Sequence, residues 1–321
     1  PGRSLGVRTY RFEHHNYERT QGCEVKRNVA AIDIGSNSTN LLVVDAAGKE
    51  LVRQVNVTAL GEGVARTGVL SPAAIERTLR VIESYARITA EHDAELHITG
   101  TAACRMASNT AEFFARVQTV AGRLPRVLSA DDEARLAWHG AVASLPEIDG
   151  NTMVIDIGGA STELTVGTPQ FEVIESVSMP FGVVTITEAE LHGDPPRAEE
   201  LSNAISMVGD AVDNAAIERP LLGDAARVIG VAGSIVTIAA VELGLREFDS
   251  SRLHGMQLSK DAAEDVFRTL ATERLADRVH NPGLPVERAG VIVGGCCILV
   301  AIMRRLGLDH ITVSTHNLLD G

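Results

Sequence analysis

One pattern occurs twice in this chain, and it limits the fold more than any other feature. Residues 153–164 read MVIDIGGASTEL, and residues 28–44 read NVAAIDIGSNSTNLLVV. In each copy an apolar run ends in Asp-Ile-Gly (Asp33, Gly35; Asp156, Gly158), small hydroxyl residues follow, and a second apolar run begins. Such a segment is expected to form two antiparallel strands joined by a tight turn. Glycine lets a backbone approach a ligand closely, and successive N–H groups in a turn form an anion-binding concavity. Gly35, Ser36, Asn37 and Ser38 in the first turn, and Gly158, Gly159 and Ser161 in the second, are therefore candidate phosphate contacts. Asp33, Asp156 and Glu163 are placed to hold a hard cation or a water beside that phosphate. Two copies more than a hundred residues apart point to an internal duplication.

With 321 residues and 45% apolar content, the chain has enough material for two domains, each with its own core. No apolar run reaches membrane-spanning length, and residues 1–27 lack the apolar centre of a signal peptide, so they read as an extension before the first strand. A net charge of −13 excludes general nucleic-acid binding and requires any anionic ligand to be held by a local positive site. Lysine occurs only at 26, 49 and 260, leaving arginine as the main cation. Cysteines at 23, 104, 296 and 297 and ten scattered histidines show no metal-ligand spacing, the pattern of reduced thiols in a cytoplasmic protein.

Strands are expected over residues 29–34, 41–45 and 51–57, a glycine-rich loop over 60–70, and a helix from Ser71-Pro72 to about Glu91. A strand over 96–99, a loop over 100–109, a helix over 110–121, a strand over 126–128 and a helix over 131–143 follow. The Pro-bearing stretch 145–150 is the expected boundary between a first domain, 28–150, and a second, 151–321. The second half restarts with strands over 152–157, 163–166 and 171–178, then a loop and a helix over 197–217. A strand over 227–231 leads through Gly233-Ser234 into a helix, with further helices over 260–272 and 287–306 and a last strand over 310–313. Three strands followed by alternating helix and strand, twice over, is the order of a duplicated mixed α/β fold. Ligands collect at the carboxyl ends of such strands, so both turns are expected to face one cleft.

Several segments, in this order, resemble the exopolyphosphatase / guanosine pentaphosphate phosphatase family. They are AIDIGSNST at 31–39, GTAACRMASN at 100–109, DDEARL at 131–136, VIDIGGASTEL at 154–164, VAGS at 231–234, VERAGVIVGGCCIL at 286–299 and VSTHNLLDG at 313–321. The resemblance implies two ribonuclease H-like domains of the actin-like ATPase superfold with the active-site cleft between them, in the short two-domain form. Glu133 sits in the first turn of an expected helix, where complementing the helix dipole is sufficient reason for an acid. The resemblance instead implies that Glu133 is the general base that activates water. It likewise implies that Arg105, otherwise an ordinary loop arginine, contacts a phosphate of the bound chain, with Thr101 beside it. Gly233-Ser234 suggests a third phosphate or a nucleotide contact, and Arg288 matches a family arginine although it begins a helix. This chain has Ala130, Ala160 and Asp320 where the family has glycine, glycine and glutamate with an arginine before it.

The reading that follows is a cytoplasmic, Mg²⁺-dependent enzyme with Glu133, Asp156 and Glu163 as catalytic residues and Asp33, Asp156 and Glu163 as metal ligands. Its expected substrate is inorganic polyphosphate or guanosine pentaphosphate, with no nucleic-acid or membrane partner. A homodimer is also envisaged, with the apolar helix over 291–303 serving either a core or a dimer face. The alternatives are a kinase or ATPase of the same superfold, and a binding protein that senses polyphosphate or the nucleotide with weakened catalysis.

Overall fold

The computed structural model describes residues 27–321, so the expected extension, apart from Arg27, lies outside the described residues. The first half runs β1 (Asn28–Ile34), β2 (Ser38–Val44), β3 (Glu50–Val57), α1 (Val64–Thr67), α2 (Pro72–Glu91), β4 (Ala94–Gly100), α3 (Ala102–Met106), α4 (Thr110–Ala121), β5 (Arg126–Val127) and α5 (Ala130–Ala143). The second opens with β6 (Thr152–Ile157), β7 (Thr162–Gly167), β8 (Val173–Met179), α6 (Val183–Glu190) and α7 (Ala198–Glu218). It continues with β9 (Arg227–Val231), α8 (Ala232–Glu242), α9 (Ser250–Leu253), β10 (Gln257–Ser259), α10 (Lys260–Thr272), α11 (Leu275–Arg278), α12 (Ile292–Arg305) and β11 (His310–Val313).

The duplication is visible in the sheets. The first has the order β3-β2-β1-β4-β5, and the second, read from its β8 edge, has β8-β7-β6-β9-β11 with β10 added outside. In both, three antiparallel strands come first and the next strand joins the opening one in parallel. The fold is thus a mixed α/β pair of duplicated units. Each half has its own core: Ile32, Ile34, Leu41, Ile82 and Phe113 in the first, and Ile155, Leu164, Val166, Val208 and Ile302 in the second.

Local sequence explains where two of the longer helices begin. Ser71 accepts from the Ala74 N–H with Pro72 in the first turn, and Ser129 accepts from the Asp132 N–H at 3.0 Å to start α5. Several elements differ from the sequence expectation: the short helices α1 and α3 lie within the expected loops 60–70 and 100–109, and α9 and α11 are additional short helices. A helix, α6, occupies part of the expected loop before α7; β10 was not anticipated; and α12 starts at Ile292 after a short 3-10 turn, Val286–Arg288. All side chains of α12 from Ile292 to Met303 are buried, so this apolar helix is core and leaves no dimer face.

The two halves exchange their ends. Although α5 precedes the expected boundary, it lies against the second sheet, where Trp138, Ala141 and Val142 pack on Val154, Ile229 and Val231. The Trp138 indole donates to the Thr152 carbonyl at 3.0 Å, and a side chain at Gly167 would collide with its ring. After β11 the tail turns back. Its 3-10 turn, Leu318–Asp320, packs against α5 and touches β1 and β2, and Asp320 forms an ion pair with Arg53 of β3. Asp320 also accepts from the Asn317 N–H at 2.9 Å, which gives its departure from the family pattern a structural use. A further bridge joins the halves where the Gly63 N–H donates to the Glu188 carboxylate of α6 at 2.8 Å.

Candidate active site

The two glycine turns are built alike. Gly35 N–H donates to the Ser38 carbonyl and Gly158 N–H to the Ser161 carbonyl, each at 3.0 Å. They also lie against each other: a Cβ on Gly159 would stand 2.8 Å from the Asn37 nitrogen and from the Ser36 Cβ. Gly182 backs the second turn closely, since its own Cβ would meet the Gly158 carbonyl and Ala160 nitrogen. The sequence-derived phosphate candidates of both halves are therefore one cluster. Ala160 is itself buried, so its methyl group fills space behind the turn.

Strand register places the carboxylates. Asp156 of β6 faces Glu163 of β7, and the equivalent pair in the first sheet is Asp33 and Asn40, whose amide donates to Asp33 Oδ2 at 3.1 Å. Duplication thus retained the aspartate and exchanged an amide for a carboxylate beside it. From the first turn of α5, Glu133 acts electrostatically on Asp33, Asp156 and Glu163, so the four acids form one group. Arg105 of α3 holds Glu133, its Nη1 donating at 2.5 Å to Oε2 and at 3.0 Å to the Leu128 carbonyl. Burial, reinforced by the Glu133 charge, pushes Asp33 and Asp156 up to about 7. Glu163 is raised by the same causes and by Asp156, and hydrogen bonds from Ser178 and Ser161 oppose the shift. Burial also raises Glu133, against the pull of Arg105.

Two polar atoms in the cluster are buried with no hydrogen-bond partner among the described residues: Asp33 Oδ1 and Asn37 Nδ2. An orphaned carboxylate oxygen on the strand and an orphaned amide donor in the turn that follows it suit a cation and a phosphate oxygen. Among the described residues no three His, Cys, Asp or Glu side chains converge to hold an ion alone. The donor set therefore fits Mg²⁺, which is typically bound through one or two carboxylates with substrate phosphate oxygens and water completing the octahedron.

Other candidates have hydroxyls already engaged. Thr101 reaches the Ile34 carbonyl at 3.5 Å, Ser234 the Ile157 carbonyl at 3.4 Å, and Ser36 accepts from the Ala103 N–H at 3.1 Å. Gly233 matters by having no side chain: a Cβ there would strike the guanidinium of half-buried Arg288, which lies over the start of α8. Sequence reasoning missed Ser178, whose hydroxyl donates to Glu163 Oε1 at 2.7 Å. The alternating hydroxyls Ser176 and Ser178 on one face of the strand were the available clue. Cys104, Cys296 and Cys297 are free and buried, and burial pushes the Cys104 and Cys297 thiols up to about 12.

A paired α/β fold with glycine turns meeting over buried carboxylates defines a phosphate-handling protein of the actin-like ATPase class. The sequence profile of the Ppx/GppA phosphatase family matches residues 42–321, and this chain belongs to that family. It is 35% identical over 312 residues to exopolyphosphatase 2 of Mycobacterium tuberculosis, covering 91% of this chain and 96% of that protein. Among solved structures, an exopolyphosphatase-like protein superposes with a TM-score of 0.87 at 30% identity, covering 91% of this chain and 96% of that one. The Aquifex aeolicus Ppx/GppA family member gives a TM-score of 0.74 at 29% identity, with 92% and 95% covered. Among the described residues no helix is long and apolar enough to cross a membrane.

Proposed function

We propose that this chain is a Mg²⁺-dependent exopolyphosphatase that releases the terminal phosphate of inorganic polyphosphate, with Glu133 as general base. The observation that carries the reading is Glu133 itself: a buried carboxylate that Arg105 grips and whose charge acts on Asp33, Asp156 and Glu163 at the ends of the strands that carry the joined turns. Hydrolysis of a phosphoanhydride needs an oriented water and donors aimed at the charge on the transferring group. Glu133, with a basicity enhanced by burial, takes the proton of a water attacking in line with the leaving chain. Turn N–H groups of residues 36–38 and 159–161, the free Asn37 amide and the Arg105 guanidinium bind the phosphoryl oxygens, the Gly35 and Gly158 N–H groups being used to close the turns. One or two of Asp33, Asp156 and Glu163 would hold Mg²⁺, which would supply neutralisation of phosphate charge when bound. Guanosine pentaphosphate carries the same terminal anhydride and is the second candidate substrate. The covering of Gly233 by Arg288 disfavours the kinase reading, which calls on that glycine as its nucleoside-side contact. Buried, unpaired thiols fit a cytoplasmic setting.

The test is phosphate release by the purified protein with Mg²⁺ from short polyphosphate, long polyphosphate, guanosine pentaphosphate and ATP, with Glu133→Gln in parallel. Release from a polyphosphate that the variant lacks is the expected result. Release retained by the variant would remove Glu133 as base, and binding without turnover would favour the sensor reading.

A further inference from the structure

The residue that faces Glu163 on its outer side carries a role of its own. Strand register lines up Asp156 of β6, Glu163 of β7 and Ser178 of β8 on one rung of the second sheet. Glu163 is almost fully buried, and a buried carboxylate must have its lone pairs satisfied or its orientation is lost. Ser178 donates to Oε1 at 2.7 Å, a short hydrogen bond across a non-local strand pair rather than a turn or cap. The matching rung of the first sheet is Asp33, Asn40 and Val55. There the middle residue is an amide bonded to its aspartate, the outer residue is a half-exposed valine, and no hydroxyl is needed. A carboxylate at the middle position and a hydroxyl at the outer one thus occur together on this rung and are both absent from the matching rung of the first sheet.

Ser178 sits on the same face of its strand as Ser176, two residues earlier, whose hydroxyl pairs with Thr165 at 3.1 Å. That pair joins two hydroxyls inside the sheet and satisfies both. Ser178 instead spends its proton on the one carboxylate the neighbouring strand aims at the acid cluster.

We propose that Ser178 is a positioning residue: by donating to Glu163 Oε1 it fixes that carboxylate beside Asp156, so that the second sheet presents an oriented carboxylate pair to the divalent cation. This rests on the proposed use of Glu163 as a cation ligand. Outer-shell partners of metal-binding carboxylates typically change metal affinity or activity about 10–100-fold when removed.

The experiment compares wild type, Ser178→Ala, Ser178→Thr and Glu163→Gln. Turnover of tripolyphosphate gives kcat and KM, and the Mg²⁺ concentration that half-saturates the rise in thermal midpoint gives cation affinity without turnover. Expected for Ser178→Ala are a kcat lower by about 10-fold or more, a KM within about twofold of wild type and a half-saturating Mg²⁺ raised by about 10-fold. Ser178→Thr, which keeps the hydroxyl, returns both values to within about threefold. A Ser178→Ala protein with unchanged Mg²⁺ affinity overturns the proposal, as does a Ser178→Thr protein as impaired as the alanine variant. If wild type fails to turn over tripolyphosphate, the proposed function fails, and the Mg²⁺ titration still decides the role of Ser178. A Glu163→Gln protein with wild-type Mg²⁺ affinity overturns the assignment of Glu163 on which Ser178 depends.

Discussion

Arg105 reaches from α3 to Glu133 at the start of α5, 2.5 Å away, so a guanidinium is bonded directly to the residue assigned as base. Its positive charge keeps the Glu133 pKa lower than burial alone would set it. Replacing Arg105 with alanine removes that opposition, so the pKa of Glu133 rises. Because a general base acts in its ionised form, the rising limb of the pH–rate profile is expected to move to higher pH, with kcat also reduced at neutrality. Steady-state kinetics between pH 5 and 9 on wild type and Arg105→Ala would check both effects; an unshifted limb would remove Glu133 as the titrating base.

Asp33 and Asp156, each raised to about 7, make stability depend on pH in a fixed direction. An acid whose pKa is higher in the folded state favours folding while protonated, and that contribution is lost as pH rises through the folded value. The metal-free protein should therefore melt several degrees lower at pH 8 than at pH 5. Mg²⁺ binding requires the ionised carboxylates, so its stabilising effect should grow over the same interval. Glu200, held down to about 2 chiefly by the Arg197 backbone N–H, titrates below this window. Thermal melts with a chelator and with Mg²⁺ measure the two slopes.

Gly159→Ala places a methyl group 2.8 Å from the backbone nitrogen of Asn37, an atom that no rotamer change can move away. The two turns must separate. A stability loss of about 1–3 kcal/mol and a fall in kcat larger than the rise in KM are expected. Denaturant melts and kinetics on the same preparation would show whether stability and turnover fall together.

The Arg53–Asp320 ion pair links a strand of the first half to the tail of the second, with both side chains largely shielded from water. A double-mutant cycle through Arg53→Ala and Asp320→Asn should give a coupling energy of about 1–2 kcal/mol. Amide hydrogen exchange over residues 314–321 should quicken in either single variant. Zero coupling would reduce the contact to a surface pair.

Much of the fold was legible because its constraints are local. A strand ending in Asp-Ile-Gly, with small hydroxyl residues after it, has few conformations open to it, and Gly35 and Gly158 occupy equivalent turns as their spacing predicts. Asp156 opposite Glu163 follows from the length of the turn between them. Glu133 was not legible in that way, since an acid in the first turn of a helix is expected whether or not it does chemistry; only resemblance singled it out. Ser178, α6 and the seat of α5 were hidden for another reason. Each depends on which strand lies next to which, and tertiary neighbours leave little mark on local periodicity. Trp138, fully buried, signals that α5 packs on something large, without saying on which sheet.

The exchange of α5 and the tail makes the duplicated halves interlaced rather than modular. Cutting the chain between 144 and 151 would leave Trp138, Ala141 and Val142 as an apolar stripe on the first fragment and bare the face of the second sheet that they cover. Each fragment would then carry a surface complementary to the other, so the two should be recovered as a non-covalent pair and not as separate folded proteins.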